Sequence, residues 1–119
     1  MESGVIKVDK PWGYELHWAR TERYVGKVVH DNAGHALSLQ YHNEKEETIL
    51  LWAGRLQLEI QEGDRIIRRD MHPGDRAHIP PKTVHRMSAV EDCDIFEVST
   101  TELDDVVRLE DRYGRVERA

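Results

Sequence analysis

Short strand-like runs recur along this chain, each cut off by glycine, proline, asparagine or aspartate, with no long helical pattern between them. Tyr14 to Ala19 and Arg23 to His30 read as strands, and Asp31-Asn32-Ala33-Gly34 supplies turn chemistry. Leu37 to His42 and Glu47 to Trp52 follow. In Arg55 to Gln61 the apolar residues Leu56, Leu58 and Ile60 alternate with Arg55, Gln57, Glu59 and Gln61, the two-residue period of a half-buried strand. Gly63-Asp64 predicts a hairpin turn into Arg65 to Asp70. His85 to Val90 and Asp94 to Thr100 complete eight strands, which predicts an all-β sandwich or barrel whose inner face leaves a cavity at its mouth. Only Leu103 to Glu110 has helical spacing, with Leu103, Val106 and Val107 apolar and Asp104 and Asp105 suited to a first turn. A short C-terminal helix is therefore expected there.

A length of 119 residues fits a single domain over residues 1–119. Twenty-three acidic against seventeen basic residues give a net charge of −6, which argues against a general nucleic-acid partner. No apolar run is long enough to suggest a membrane span, and Met1-Glu2-Ser3-Gly4 lacks the features of a secretion signal. Cys93 is the single cysteine, so neither an internal disulfide nor a paired-cysteine zinc motif is available. A cytoplasmic protein without membrane partners is expected.

The chemistry concentrates in Gln40, His42, Glu47 and His85. In a strand, Gln40 and His42 share one face, while Leu37, Leu39 and Tyr41 take the other. Glu47 opens the next strand, where a cross-strand neighbour brings its carboxylate beside His42. A barrel brings the distant His85 opposite. Two imidazoles, a carboxylate and an amide oxygen make a divalent-metal site with open positions for substrate or water. The alternative is that these residues lie on a solvated strand face.

Spacing favours the metal reading. Gly34, Gln40, His42, Glu47 and Gly54 stand at the intervals of the first cupin motif, with Gln40 in a His slot. Gly74, Pro80 and His85 fit the second motif, while Lys82 replaces its glycine and Ala89 its asparagine. Over residues 34 to 89 the chain thus resembles the cupin superfamily, which implies a double-stranded β-helix, or jelly-roll barrel.

The flanks narrow the resemblance. Lys10-Pro11-Trp12-Gly13, Leu37-Ser38-Leu39-Gln40, Val84-His85-Arg86 and the tail from Asp104 to Arg115 resemble the cupin domain of type II phosphomannose isomerases. That resemblance implies a metal held by Gln40, His42, Glu47 and His85, with zinc favoured. Iron, manganese or nickel suit the same ligands. Asn43, Glu44, Thr48 and Ser99 depart from the family's pattern around the metal set and put the substrate in doubt.

Two further residues carry candidate catalytic roles. Glu97, between Phe96 and Val98 in an apolar run, would serve as the proton-transfer base if it faces inward, since desolvation raises a carboxyl pKa. The alternative is a surface residue paired with a lysine or arginine. Arg108 would cross the barrel mouth to meet an anionic substrate, or else pair with Asp104 or Asp105. Arg86, His78 and Lys82 read as surface or loop residues, and His17, His30, His35 and His72 as ordinary surface or turn residues. At least two of Trp12, Trp18 and Trp52 are expected in the core.

The reaction implied is aldose–ketose isomerisation of a sugar or sugar phosphate. Metal-dependent oxygenation of a small organic acid and non-catalytic binding of a sugar or metabolite are the alternatives. A homodimer is expected, because small barrels leave strand edges exposed, and Val5 to Val8 would supply a pairing strand.

Overall fold

The structure is a computed structural model that describes residues 4–116. The described chain forms eleven strands: β1 (Ile6–Lys10), β2 (Gly13–Arg20), β3 (Val25–Asp31), β4 (Leu39–Tyr41), β5 (Glu47–Ala53), β6 (Leu56–Glu62), β7 (Arg65–Met71), β8 (Arg76–Ile79), β9 (His85–Ala89), β10 (Cys93–Ser99) and β11 (Val107–Glu110). They make a six-stranded sheet in the order β1-β2-β3-β10-β5-β8 and a five-stranded sheet in the order β11-β4-β9-β6-β7. Every pairing is antiparallel. The all-β jelly-roll expectation therefore holds. No helix among the described residues is long and apolar enough to cross a membrane.

Alternation builds the core. Leu56, Leu58 and Ile60 of β6 are buried, and so are Ile49 and Leu51 of β5 and Ile95 of β10. Their strands present one apolar and one polar face, so the two sheets close over the apolar ones. Each fully buried leucine or isoleucine contributes about 1.5–3 kcal/mol relative to exposure. Gly54 follows β5 where a Cβ would meet the Asp92 carbonyl oxygen at 2.1 Å, so only glycine allows the β5–β6 turn to pass there.

Two expectations are corrected. Leu103 to Glu110 is not a helix. Its first part forms turns, with Asp105 N–H donating to Glu102 O and Val106 N–H to Asp104 O, and its second part is β11, paired with β4. Leu103 and Val106 line a cavity rather than one side of a helix, and β-branched Val106 and Val107 suit the extended chain. Only Trp12 joins the core, at 2% exposed, whereas Trp18 and Trp52 are 59% and 61% exposed. Val5 to Val8 falls largely in β1, the edge strand of the six-stranded sheet, which pairs with β2 on one side. The short β8 has no counterpart in the sequence reading, because Arg76-Ala77-His78-Ile79 offers only two apolar residues to its period.

Lys82, which stands where the second cupin motif has glycine, is the one described non-glycine residue with positive φ, at 61°. Its amide donates to the His42 carbonyl at 2.6 Å, which holds the turn against the site. A left-handed conformation costs an ordinary residue about 1–2 kcal/mol, and glycine's extra unfolded freedom returns part of that. Lys82→Gly is therefore expected to stabilise the fold by about 0.5–1 kcal/mol in urea unfolding. A loss of stability would contradict this account of the turn.

Candidate metal centre

β4 ends one residue before His42, β5 begins at Glu47 and β9 begins at His85, so three strand termini converge at one end of the barrel. Gln40 lies opposite His85 in the β4–β9 register. His42, Glu47 and His85 each offer a ligand atom, all within 4.8 Å of one another, and all three side chains are buried. His42 Nε2 is 3.4 Å from Glu47 Oε2, and His85 Nε2 is 3.7 Å from Glu47 Oε1. Gln40 is adjacent, with its amide nitrogen 3.4 Å from His42 Nε2 and its amide oxygen accepting from Ser38 Oγ at 2.5 Å.

The ring orientations are set from behind. His42 Nδ1 donates to the Asp105 carbonyl at 2.5 Å, and His85 Nδ1 donates to the Thr83 carbonyl at 2.9 Å. A carbonyl only accepts, so each Nδ1 carries a proton and each Nε2 is the ring atom turned toward Glu47. His85 Nε2 is buried and has no hydrogen-bond partner. Burial, opposed by Glu47, keeps His85 below its ordinary pKa. Burial pushes Glu47 up, but His42, Lys45 and His85 outweigh it and hold the carboxylate ionised, well below its usual range. Two imidazoles with Nε2 turned inward, an ionised carboxylate and an orphaned ring nitrogen fit a divalent cation.

Asp105 has a second task that its sequence position did not disclose. Its carboxylate accepts from the backbone amides of Asn43, Glu44 and Lys45 at 3.0, 2.7 and 3.0 Å. Those bonds hold its pKa down to about 2 and pin the loop between His42 and Glu47. Here an aspartate expected to start a helix instead caps a distant loop.

Behind the centre runs a row of alternating charge. Lys45 Nζ lies 3.1 Å from both Glu47 Oε2 and Glu97 Oε2. Lys27 Nζ is 3.6 Å from Glu97 Oε2 and 3.2 Å from Glu15 Oε1, which His17 also touches at 2.9 Å. Glu97 therefore faces inward, at 4% exposed. Burial and the nearby Glu47 push its pKa up, against Lys27 and Lys45. Lys45 moves the opposite way to most buried lysines, since Glu97 and Glu47 more than offset burial and raise it. For Glu15, Lys27 and His17 outweigh burial and lower the pKa.

Lys27 and Lys45 were not recognised in the sequence as interior residues. Lys27 carried a usable signal, since it stands between Val25 and Val29 in the inward phase of β3. Lys45 carried none, lying in the polar stretch Asn43-Glu44-Lys45-Glu46. His17 likewise belongs to the interior wall rather than to the surface.

A cavity of about 300 Å³ opens above this row, lined by Gln40, His42, Lys45, Glu47, Glu97 and Arg108, among others. Arg108 makes no ion pair with Asp104 or Asp105 among the described residues, and its buried Nε has no partner. Lys10 and Arg20 also line the cavity. Arg86 instead pairs with Glu110 at 3.0 Å on the outside, and His78 with Glu46 at 2.5 Å, both as surface groups. His30 pairs with Asp94 and stacks on Tyr14, and His35 bonds Tyr113.

Fold and cluster together define a cupin barrel with a His–Glu–His group able to hold a metal ion at its floor. The chain belongs to the mannose-6-phosphate isomerase C-terminal family, whose model matches residues 3–111. It is 32% identical over 115 residues to the mannose-1-phosphate guanylyltransferase ManC of Salmonella typhimurium, covering 92% of this chain but only 23% of ManC. The chain thus spans about a quarter of the length of that curated relative. Oxalate decarboxylase from Bacillus subtilis superposes with a TM-score of 0.78 at 16% identity, covering 88% of this chain and 30% of that one. KdgF from a Halomonas species superposes at 0.72 with 21% identity, covering 87% of this chain and 97% of that one. These likenesses establish the cupin fold.

Proposed function

We propose that this chain is a metal-dependent cupin that isomerises a sugar phosphate between aldose and ketose forms. The observation that carries the reading is the convergence of His42, Glu47 and His85, both imidazoles with Nδ1 committed to carbonyls, beneath a cavity that holds an unpartnered Arg108 Nε. The family relation supports the substrate class.

In this reading Gln40, His42, Glu47 and His85 hold one divalent ion, with zinc the assignment proposed. Iron, manganese and nickel are accommodated by the same ligands, and Mn(II) centres are named for the Bacillus subtilis oxalate decarboxylase. When bound, the ion supplies Lewis acidity toward a substrate carbonyl. Arg108 binds the phosphate through its free guanidinium edge, with Lys10 and Arg20 adding positive charge at the mouth. Glu97 takes a proton from the carbon beside the carbonyl and returns it to the neighbouring carbon. Its raised pKa suits that exchange, and Lys27 and Lys45 hold the carboxylate in place.

Metal-replete protein, assayed without oxygen on a panel of phosphorylated aldoses and ketoses, is expected to interconvert at least one pair. Glu97→Gln should slow that reaction by about 10²–10⁴-fold. Arg108→Met should raise KM for the phosphorylated sugar more than for its unphosphorylated counterpart. Protein that holds metal and is inert across the panel would overturn the reading.

One observation favours a second reading. The Gln40 amide oxygen is engaged by Ser38, which leaves two histidines and one carboxylate, the ligand set of non-haem iron oxygenases. Oxygen consumption that depends on added ferrous iron and a small organic acid would select it. Tight sugar binding without turnover would instead select a binding module.

A further inference from the structure

We propose that Asp105 is a positioning residue that links the metal centre to a C-terminal strap, so that loading the centre and closing the cavity favour each other. The link rests on the metal reading above. The strap runs from Glu102 to Arg115, and β11 is its one regular stretch. β11 lies at the edge of the five-stranded sheet, with β4 on one side and no strand on the other. Three residue pairs join it to β4, with a register shift between Arg108 and Glu110. Otherwise side chains tie the strap down: Glu110 to Arg86 at 3.0 Å, Arg112 to the Gly34 carbonyl at 3.1 Å and Tyr113 to His35 at 2.7 Å. A segment held by one short pairing and largely exposed side-chain bonds opens at lower cost than the core strands.

Two features depend on that docking. The first is the cavity, since Leu103, Asp104, Val106, Arg108 and Arg115 all line it. Opening the strap takes Arg108 away. The second is the metal centre. Arg108 stands opposite Gln40, and Gln40 opposite His85, so the strap lies directly beside a strand that carries a candidate ligand. Asp105 reaches the centre in two ways. Its carbonyl accepts from His42 Nδ1 at 2.5 Å, and its carboxylate accepts from the amides of Asn43, Glu44 and Lys45. The next amide, of Glu46, donates to Thr100 Oγ1 at 3.0 Å. Every amide between the ligands His42 and Glu47 is therefore bonded to Asp105 or Thr100, where the chain enters the strap.

Linkage then runs in both directions. With the strap docked, the His42 ring is fixed with Nε2 inward, and the loop from Asn43 to Glu46 holds it at its distance from Glu47. With the strap open, His42 Nδ1 and three loop amides lose their acceptors, and the same ligands must be ordered at the moment of binding. The docked form therefore has the higher metal affinity. A loaded centre in turn shifts the strap toward its docked position and keeps Arg108 over the cavity. Asp105 does this without its own carboxylate joining the His42, Glu47 and His85 cluster.

Hydrogen exchange and zinc titration of the full chain test the link, on wild type, Asp105→Ala and Asp105→Asn. In wild type, zinc at about a hundred times its dissociation constant is expected to slow exchange of the amides of residues 43–45 and 106–110 by up to ~100-fold. The β1 edge of the other sheet frays without breaking the site and should be unchanged. Asp105→Ala should keep its circular dichroism spectrum and bind zinc about 10–100-fold more weakly, the usual cost of removing a support behind a metal ligand. Asp105→Asn, which retains one acceptor oxygen, should fall between. A cap that serves stability alone would leave the zinc affinity and the zinc-dependent protection of the strap where they were. Zinc that binds without slowing strap exchange overturns the proposal, and so does an Asp105→Ala affinity equal to that of wild type. A wild type that binds no zinc overturns it together with the metal reading. None of these readouts needs turnover, so a protein that shows both effects and is inert on sugar phosphates removes the isomerase reading and leaves the link standing.

Discussion

Lys45→Met is expected to lower the unfolding free energy of chelator-treated protein by about 3–5 kcal/mol, the cost of leaving a buried charge without its partner. Lys45 is 5% exposed and stands 3.1 Å from two buried carboxylates, Glu47 and Glu97. Methionine keeps the volume and the apolar stem but removes the ammonium. Lys27 remains beside Glu97 at 3.6 Å, whereas Glu47 loses its lysine and keeps only the two imidazoles. The loss should shrink when a divalent ion is supplied, because the ion then balances Glu47. Urea unfolding with and without metal checks both halves. A difference below about 1 kcal/mol in the chelated protein would mean that the row of charges is solvated rather than enclosed.

The second large effect is on the pH dependence of stability and comes from Asp31, away from the metal centre. Asp31 ends β3 opposite Cys93, is fully buried, and neither carboxylate oxygen has a hydrogen-bond partner. Burial raises its pKa from 3.8 to about 8, with the nearby Ala89 backbone and then Arg112 only partly opposing. The folded protein thus keeps a proton that the unfolded chain releases, and stability is greatest below the unfolded pKa. It declines as pH rises toward 8, by up to roughly 1.4 kcal/mol per pH unit. Asp31→Asn removes this titration. Between pH 5 and 8 the variant should gain on the wild type by more than about 2 kcal/mol in parallel urea titrations. A difference that stays constant over that range would contradict a protonated Asp31. The neighbouring Cys93 is expected to stay unreactive toward thiol reagents in the folded state. Burial, with Asp31 beside it, pushes its thiol up to about 12, and Sγ donates to the carbonyls of Arg55 and Glu91.

Much of this molecule could be read from its residues, for identifiable reasons. β6 was legible because Leu56, Leu58 and Ile60 alternate without exception. The metal cluster was legible because Gly34, Gln40, His42, Glu47 and Gly54, with Gly74, Pro80 and His85, stand at intervals that resemble the cupin motifs, where the residue types alone left a solvated strand face open. Glu97 was read as inward from the apolar run around Phe96 and Val98, although those two take the outward phase and it is Ile95 and Ser99 that share its inward one on β10. Local pattern failed for Lys45, which lies in a polar loop and is stabilised by carboxylates distant in sequence, and for Asp31, which ends β3 in turn-like sequence and is buried without a partner. The helical reading of 103–110 failed because Leu103, Val106 and Val107 fit both periods over so short a stretch. Pairing with β4 decides between them, and no local pattern records that pairing. The tryptophans failed for the opposite reason. Trp18 and Trp52 are large and apolar, yet they sit on the outward phase of β2 and β5.

Metal analysis of the purified protein, dialysed against zinc and then against buffer, tests the central claim most directly, with His42→Ala as the comparison. The account predicts about one zinc ion per wild-type chain and essentially none in the variant, with both proteins folded. A folded wild type that retains no metal, or a variant that retains as much as the wild type, would contradict it.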